Sequence, residues 1–270
     1  MADEWDEIAP LWLVGCGNMA GAMLRRWLDV GLSPDAVTVV RPSAVVPAPG
    51  VRTLATLPAG EGLPRVLLLG VKPQKLDEVT ADVAASVGPE TLVLSILAAV
   101  ELATLRTRFP AAGAIVRVMP NTPVVLGRGV VALFGDPGRH QSKLDRLMLP
   151  LGLVEWIHDE DLFGPATALS GSGPAFLFRF IAALAQAGQA LGLDHDQAVR
   201  LATAMVDGAA GLALASSENA DALADRVASP GGMTRAGLNV LDDQNALRDL
   251  LRRTLEATDR REREMTARTP

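Results

Sequence analysis

The 270-residue sequence is poor in the residues on which metal sites and disulfide frameworks depend. It has one cysteine and three histidines, and His140, His158 and His195 are scattered along the chain. A single cysteine excludes an internal disulfide and is typical of a reducing compartment, so we expect a cytoplasmic protein. The spacing of these residues predicts no metal site. Cys16 lies in a glycine-rich turn where small residues are needed, and we expect no catalytic role for its thiol.

The sequence also lacks the features of nucleic-acid-binding and membrane proteins. Its net charge is −6, whereas a nucleic-acid-binding surface needs clustered positive charge. No uninterrupted apolar run approaches the roughly 18 residues of a membrane span. The acidic residues 1–10 lack the basic segment and apolar core of a signal peptide. With 49% hydrophobic and 21% charged residues, we expect a globular protein with no nucleic-acid partner and no membrane contact.

The first positive signal is a glycine-rich turn between a strand and a helix. Residues 11–14 form an apolar run typical of a buried strand, residues 15–20 read G-C-G-N-M-A, and apolar residues then recur at helical spacing up to Gly31. This order is the dinucleotide-binding fingerprint. Gly15 permits the tight turn, Gly17 lets the backbone approach a pyrophosphate, and Ala20 permits close packing of helix on strand. The helix N-terminus would attract the phosphate charge.

Six further apolar runs alternate with helical patterns. They lie at 37–40, 66–71, 92–96, 115–118, 130–134 and 154–157, with helical spacing at 76–87 and 100–109. Such alternation is typical of a mostly parallel sheet covered on both faces. We predict an α/β fold whose N-terminal domain, residues 1–163, is a Rossmann-like, doubly wound, mostly parallel sheet. Ligands bind such sheets beyond the carboxyl ends of the strands, so residues directly after each run are candidate contacts.

After about residue 163 the strand signals stop. We predict an all-helical domain over residues 164–270, with helices at 176–191, 197–215, 221–227, 234–241 and 246–265. The stretch 174–191 is apolar nearly all round, which is typical of a helix buried on all sides. A second copy of the chain would bury it readily, so we expect a homodimer through this domain. The last helix carries charges of both signs and predicts a solvated face.

The residues after the second run bear on which nucleotide binds. In NAD-preferring folds an acidic residue at the end of the second strand takes the ribose hydroxyls. This sequence has Arg41 and Ser43 there, and a guanidinium and a hydroxyl suit the 2′-phosphate of NADP through charge-assisted hydrogen bonds. We predict NADPH, with NADH as the alternative cofactor.

Three further stretches have unusual compositions for their places. Residues 119–123, M-P-N-T-P, follow a strand and are stiffened by two prolines. Residues 170–175, S-G-S-G-P-A, precede the apolar helix, and we expect them to expose backbone amides at its N-terminus. Residues 229–234, S-P-G-G-M-T, precede another helix.

The third stretch allows two local structures. Ser229 could cap the helix with Pro230 in its first position. Alternatively, Gly231 and Gly232 could form a nest of amides, with the helix starting at Thr234. Two amide-rich helix starts beside a nucleotide-binding fold favour a small anionic substrate.

Five motifs resemble those of the pyrroline-5-carboxylate reductase family, in the same order and over the whole chain. They are G-x-G-N-M at 15–19, V-K-P at 71–73, R-V-M-P-N-T-P at 117–123, L-S-G-S-G-P-A at 169–175 and S-P-G-G-x-T at 229–234. The first is shared by many dehydrogenases, whereas the last two are specific to this family. The resemblance implies a helical domain that interlocks with a second subunit, in dimers that often form larger rings with shared sites.

The resemblance also implies the reaction and the residues that carry it. The substrate is the cyclic imine 1-pyrroline-5-carboxylate, and hydride transfer from nicotinamide C4 gives L-proline, the last step of proline biosynthesis. Thr234 is the implied catalytic residue, through a hydrogen bond to the ring nitrogen. The substrate contacts are Ser172, Ser229, Gly231, Gly232 and Thr234. The cofactor contacts are Gly15, Gly17, Asn18, Met19, Arg41, Ser43, Val71, Lys72, Pro73, Ala98 and Asn121.

The sequence departs from the family pattern at several places. The family's A-A-G-V reads L-A-A-V at 97–100, so Ala99 stands at the glycine. Phe176 replaces the usual tyrosine, and Met233 replaces a frequent threonine. None of these positions carries a group that the chemistry strictly needs, but Ala99 and Met233 leave room for an altered substrate preference.

Two other functions compete with this one. The first is an NADP-dependent reductase of another cyclic imine or of a 3-hydroxyacid-type substrate, but the hydroxyacid enzymes use a lysine in the helical domain and residues 164–250 contain none. The second is a nucleotide-binding homologue without turnover, which would be expected to have lost Thr234 or the Gly231–Gly232 pair. All three residues are present.

Overall fold

The computed structural model describes residues 5–43, 45–58 and 60–268. The chain divides into two compact units, which are Met1–Ser172 with Thr258–Pro270, and Gly173–Ala257. The boundary after residue 163 expected from the sequence stays a prediction.

The first unit is built on an eight-stranded sheet. Its strands are β1 (Leu11–Val14), β2 (Val37–Val40), β3 (Arg52–Leu54), β4 (Val66–Leu69), β5 (Leu92–Ser95), β6 (Ala114–Pro120), β7 (Gly129–Asp136) and β8 (Gly152–Trp156). The strand order is β3-β2-β1-β4-β5-β6-β7-β8. Every neighbouring pair is parallel except β6 and β7. The predicted α/β fold class is therefore confirmed.

Helices cover both faces of this sheet, as the continuous apolar strands require. They are α1 (Asn18–Asp29), α2 (Leu76–Ala85), α3 (Leu102–Arg108), α4 (Gln141–Met148) and α5 (Phe163–Ala166). One buried cluster includes side chains of α1 and α4, and the other includes side chains of α2 and α3. The indole Nε1 of Trp27 on α1 donates a 2.6 Å hydrogen bond to the carbonyl of Leu147 on α4. These buried faces hold the carboxyl ends of the strands in fixed register.

Three features of the sheet differ from the expectation. The sequence reasoning missed β3, which has only three residues, none of them buried, and so has no apolar run. It also missed α4, a short helix between β7 and β8. The strand expected over 66–71 ends at Leu69, although the Gly70 N–H still donates to the Val14 carbonyl of β1 at 2.8 Å.

The second unit is helical. Its helices are α6 (Gly173–Ala190), α7 (His195–Ala215), α8 (Ala220–Val227), α9 (Met233–Asp242) and the first part of α10 (Ala246–Thr266), whose last residues belong to the first unit. In residues 173–257, all of which the structure describes, the buried hydrophobic side chains are four alanines: Ala185, Ala198, Ala202 and Ala228. The apolar stretch expected to be buried on all sides thus leaves its large side chains exposed in a single chain.

Candidate functional site

A cavity of about 560 Å³ lies at the carboxyl ends of β1, β2 and β4. Six of the predicted cofactor contacts line it, namely Gly15, Gly17, Arg41, Ser43, Val71 and Lys72. Open parallel sheets bind nucleotides at this edge, where strand order reverses on the two sides of β1. The cavity therefore has the position that the fingerprint predicts.

The glycine-rich turn is shaped by close approaches of backbone to backbone. Gly15 has φ +84°, and a Cβ there would stand 2.7 Å from the carbonyl of Gly70, so no other residue fits without strain. A Cβ on Gly70 would stand 3.1 Å from the Ala20 methyl, so glycine at 70 lets β4 and the first turn of α1 pack closely. Gly17, the N-cap of α1, differs: within the described residues, no atom lies within 4 Å of where its Cβ would be. Protein packing thus does not require glycine at 17, whereas close approach of a pyrophosphate does.

Positive charge surrounds the thiol in this turn. Burial raises the pKa of the Cys16 thiol, and the nearby Arg41 and Arg25 guanidinium groups oppose that rise. A thiol with a raised pKa stays protonated and is a weak nucleophile. The electrostatics therefore favour anion binding at this edge and a structural role for Cys16.

The other predicted cofactor residues do not line the cavity. Asn18 and Met19 form the first turn of α1, and Met19 packs against the core. Pro73 begins a short 3₁₀ helix whose N-cap is Lys72. Ala98 packs in a small cluster with Met119, Ala132 and Phe163. Cofactor contacts of these residues stay predictions.

Ala99 has a left-handed backbone, with φ +60°. The residue is 1% exposed, and it stands where the family pattern has glycine. A non-glycine residue in this region costs roughly 1–2 kcal/mol. The departure noted from the sequence is thus a point of local strain directly after β5.

Asn121 is 5% exposed, and both polar atoms of its side-chain amide bond backbone groups of the protein. Its Nδ2 donates to the carbonyl of Ser170 at 2.9 Å, and its Oδ1 accepts from the backbone N–H of Val130 at 2.8 Å. The sequence reasoning placed Asn121 at the nicotinamide end of the cofactor. The structure shows that Asn121 joins the end of β6 to Ser170 of the S-G-S-G-P-A stretch.

The first residues of the S-G-S-G-P-A stretch continue a helix instead of opening one. Thr167–Gly171 form a π-helix, named here the π-turn, between α5 and α6. The Ser172 N–H donates to the Thr167 carbonyl at 3.1 Å, and the Ser170 hydroxyl donates to the Ala166 carbonyl at 2.8 Å. The expectation that free amides are exposed at a helix start is therefore wrong for Ser172. Single π-turns inside helices are nevertheless frequent at functional sites.

In the second unit, the S-P-G-G-M-T stretch forms a turn that leads into α9. The helix begins at Met233 with Gly232 as its N-cap, and Gly231 has φ +72°. Capping by Ser229 with Pro230 in the first helical position is thus wrong, and the helix start of the alternative is correct within one residue. The Gly232 N–H donates to the Ser229 carbonyl at 3.0 Å, so the nest of amides stays a prediction. A Cβ on Gly232 would stand 2.5 Å from the Ser229 hydroxyl, so a larger residue there would displace that side chain, while the positive φ of Gly231 favours glycine. Thr234 is exposed in the first turn of α9.

The sequence reasoning missed a charged cluster around Arg117 of β6. The Arg117 side chain is 6% exposed, and its Nη1 lies 2.6 Å from Oε1 of Glu160. The same oxygen accepts from the Leu102 N–H at 2.8 Å, and the guanidinium lies 4.2 Å from the centre of the Phe163 ring. Arg117 thus ties β6 to the residues that lead into the π-turn. The R-V-M-P-N-T-P motif was the signal that could have identified it.

Two acidic side chains of α10 complete this cluster within the first unit. Burial and the nearby Asp259 carboxylate raise the pKa of Glu262, while Arg117 opposes the rise. A Cβ on Gly164 would stand 2.8 Å from Oδ1 of Asp259 and 3.1 Å from Oε2 of Glu262. The Arg252–Glu256 pair is exposed, as the predicted solvated face of α10 requires, whereas Asp259, which pairs with Arg263, is only 22% exposed.

Comparison with known proteins adds to this geometry. Residues 160–265 match the family model described as pyrroline-5-carboxylate reductase dimerisation. The chain is 32% identical over 260 residues to the pyrroline-5-carboxylate reductase of Pseudomonas aeruginosa, covering 93% of this chain and 95% of the relative. A solved pyrroline-5-carboxylate reductase from Coxiella burnetii is 31% identical, with a TM-score of 0.86 over 96% of this chain and 99% of the other. A Plasmodium falciparum pyrroline carboxylate reductase with NADP bound shares the fold, with 23% identity and a TM-score of 0.84 over 96% and 99% of the two chains.

Two helical stretches, Glu160–Ala190 and His195–Ala215, are long and apolar enough to cross a membrane by length and composition. Both lie within the residues that match the dimerisation model. Burial against another subunit requires the same apolar composition as a membrane span. The match therefore favours a protein partner for these helices.

Proposed function

Because the chain belongs to the pyrroline-5-carboxylate reductase family, we propose that it reduces 1-pyrroline-5-carboxylate to L-proline with NADPH. One observation carries the proposal: a dinucleotide cavity on the G-x-G turn occurs in a chain that matches a reductase along 93% of its length. The glycine turn supports a dinucleotide, and the family supplies the substrate.

The residues of the cavity fit this cofactor. Gly17 leaves open space at the N-terminus of α1, where a pyrophosphate is stabilised by backbone amides and the helix dipole. Arg41 and Ser43, at the end of β2, would hold the 2′-phosphate. Lys72 lines the same cavity and adds positive charge. This donor set favours NADPH over NADH.

When bound, NADPH supplies the hydride that the imine carbon of the substrate accepts. The protein positions the two reactants and supplies the electrostatic environment. Its main contribution to the rate is to hold the nicotinamide C4 and the imine carbon roughly 3–3.5 Å apart. The candidate turns contain no histidine or carboxylate. This fits a protonated imine, which is already a good electrophile and needs no strong general acid.

We place the substrate contacts in the turn before α9 and at Ser172. The backbone around Ser229, Gly231 and Gly232 would bind the carboxylate, since the turn and the N-terminus of α9 both favour an anion. The Thr234 hydroxyl would bond the ring nitrogen and orient the imine. Ser172 would stand on the nicotinamide side.

A homo-oligomer through the helical domain accompanies this function. The dimerisation model matches residues 160–265, and the apolar helices α6 and α7 expose their large side chains in one chain. Burying that surface is the main driving force for association. We propose that a dimer is the smallest active form.

The test is an assay of NADPH oxidation with 1-pyrroline-5-carboxylate, run beside a panel of 3-oxo acids and other cyclic imines. Fast turnover with pyrroline-5-carboxylate alone supports the proposal. Faster turnover with another imine or with an oxo acid would assign the chain to a different reductase. NADPH binding without any turnover would indicate a nucleotide-binding homologue.

A further inference from the structure

Asn121 joins three segments of the first unit through one buried amide. It follows β6 directly, and it accepts from Val130 of β7 at 2.8 Å while it donates to Ser170 of the π-turn at 2.9 Å. At 5% exposure, water cannot readily replace either bond, and each buried group left unpaired costs about 1–3 kcal/mol. The amide therefore fixes the distance between the sheet edge and the π-turn.

Pro174 removes the α-helical donor that the Ser170 carbonyl could otherwise accept. In an α-helix the carbonyl of residue 170 accepts from the N–H of residue 174, and proline has no N–H. Asn121 supplies the missing hydrogen bond from a position 49 residues away in sequence. The asparagine of M-P-N-T-P and the proline of S-G-S-G-P-A are thus parts of one arrangement.

A second contact places the π-turn directly on the end of β6. A Cβ on Gly171 would stand 3.7 Å from Cγ of Met119, so the π-turn lies beside that side chain. Two residues after Met119, Asn121 holds the preceding carbonyl. Both sides of the Ser170–Gly171 peptide are therefore fixed relative to β6.

We propose that Asn121 is a positioning residue for the reduction, which holds the π-turn at the edge of the sheet where the nicotinamide binds. This inference rests on the proposed function, which puts Ser172 on the nicotinamide side. Asn121 acts through the backbone of residues 170–172 and not by binding NADPH. A displacement of about 1 Å between reacting groups lowers a rate by up to about a hundredfold.

Thr91 offers a matched control for Asn121→Ala. It is fully buried, and its hydroxyl donates to Pro64 and accepts from Gly88 at 2.8 and 3.2 Å. It also bridges two backbone groups, but it precedes β5 and so lies at the amino ends of the strands. Thr91→Ala should lower the melting temperature as Asn121→Ala does, and leave kcat unchanged.

For Asn121→Ala we expect kcat to fall between about tenfold and a hundredfold, with the Kd for NADPH within about threefold of the parent, since the bond it loses is to the protein and not to the cofactor. A loss of NADPH affinity as large as the loss of kcat would show that Asn121 contacts the cofactor directly. An unchanged kcat, or an equal loss in Thr91→Ala, would also overturn the proposal.

A double variant distinguishes two roles of Asn121. One role is to position the π-turn, and the other is only to donate a hydrogen bond to the buried Ser170 carbonyl. Asn121→Ala with Pro174→Ala gives Ser170 a local N–H donor but no tie to β6. We expect the melting temperature to recover in part while kcat stays low. Recovery of kcat together with stability would mean that Asn121 only satisfies a buried carbonyl, and would overturn the proposal.

Hydrogen exchange keeps this test separate from the proposed function. The Ser172 amide, bonded to Thr167, should exchange faster in Asn121→Ala than in Thr91→Ala, whatever the substrate of the protein is. Equal exchange rates of the Ser172 amide in the two variants would disprove that Asn121 holds the π-turn in place. If wild-type protein does not reduce 1-pyrroline-5-carboxylate, the proposed function fails while this structural result still stands.

Discussion

The two units of the chain differ in how they bury their apolar side chains. The sheet unit encloses large clusters of leucine, valine and aromatic side chains. In the helical unit, residues 173–257, the buried hydrophobic side chains are all alanine, while Phe178, Leu212 and Leu214 are mostly exposed. The sheet unit therefore has a core of its own, whereas the helical unit lacks one until another subunit covers it.

Because of this difference, the proposed cofactor residues and most of the proposed substrate residues lie in units of different stability. Residues proposed to hold NADPH lie on strands and turns whose packing is complete within one chain. Residues proposed to hold the substrate lie mainly in a unit that a second copy must complete. The cofactor site should thus withstand dissociation of the oligomer, and the substrate site should not.

The largest effect is expected from a charge on the exposed apolar face of α7. Leu212 is 66% exposed in a single chain, where a change to glutamate alters stability by at most about 0.5 kcal/mol. In a dimer that buries this position, an unpaired carboxylate costs several kcal/mol. We expect Leu212→Glu to dissociate the oligomer and abolish turnover, while NADPH still binds, as measured by light scattering and fluorescence titration.

The control for that prediction is Leu149→Glu in the sheet unit, where the leucine is 62% exposed. It introduces the same charge on a surface that we expect to stay in water. An intact oligomer with Leu212→Glu would contradict the comparison between the units, as would equal dissociation in both variants.

The next largest effect is expected at Thr234, on the helical side of the proposed chemistry. Thr234→Ala removes the hydroxyl that orients the imine, so kcat should fall well over tenfold, since one such hydrogen bond in the transition state contributes about 1.5–3 kcal/mol. The Kd for NADPH should stay nearly constant. Thr234→Ser keeps the hydroxyl and should retain most of the activity, and undiminished turnover in Thr234→Ala would rule out the role given to Thr234.

The sequence was most informative where burial is complete. Leu11–Val14 and Leu92–Ser95 were predicted at or within one residue of their bounds, because both faces of these strands are covered and every residue except Ser95 is apolar. β3 was missed because it has three residues at the edge of the sheet. The antiparallel direction of β7 was also missed, since an apolar run has the same composition in either direction.

Tertiary partners were the least predictable part of the site. The small residues of S-G-S-G-P-A predict exposed amides at a helix start, but Ser170 and Gly171 lie in a π-turn whose Ser170 carbonyl accepts from Asn121. The bond between Asn121 and Ser170 spans 49 positions, and Arg117 pairs with Glu160 across 43. Local patterns carry no information about partners at such separations, whereas the motif resemblance identified the right segments without their roles.

A smaller effect is expected at the cofactor edge of the sheet unit. Arg41→Asp should weaken NADPH binding and shift the preference toward NADH by about tenfold or more, because a charge-assisted bond to the 2′-phosphate is replaced by repulsion. Steady-state kinetics with both cofactors measure the ratio of kcat/KM values. Arg65→Asp makes the same charge change at the amino end of β4 and should leave the ratio constant. An unmoved ratio in Arg41→Asp would show that another group contacts the 2′-phosphate.

The smallest effect is expected at Ala99, where the sheet unit tolerates strain. Ala99→Gly relieves a left-handed backbone at roughly 1–2 kcal/mol. It also removes a buried methyl group at about 0.8 kcal/mol and adds chain entropy to the unfolded state at about 0.4–1 kcal/mol. These terms nearly cancel, so urea denaturation at fixed protein concentration should show a change in unfolding free energy within about 0.5 kcal/mol.

Ala132 provides the contrast that makes this near-zero result informative. It is 2% exposed in β7 and has no positive φ, so Ala132→Gly loses the methyl group and the chain entropy without relief of strain. We expect it to lose about 1–2 kcal/mol of unfolding free energy. Equal losses in the two variants would show that Ala99 is not strained. A larger loss at Ala132 would show that the sheet unit, with its complete core, absorbs at Ala99 a strain that the family avoids with glycine.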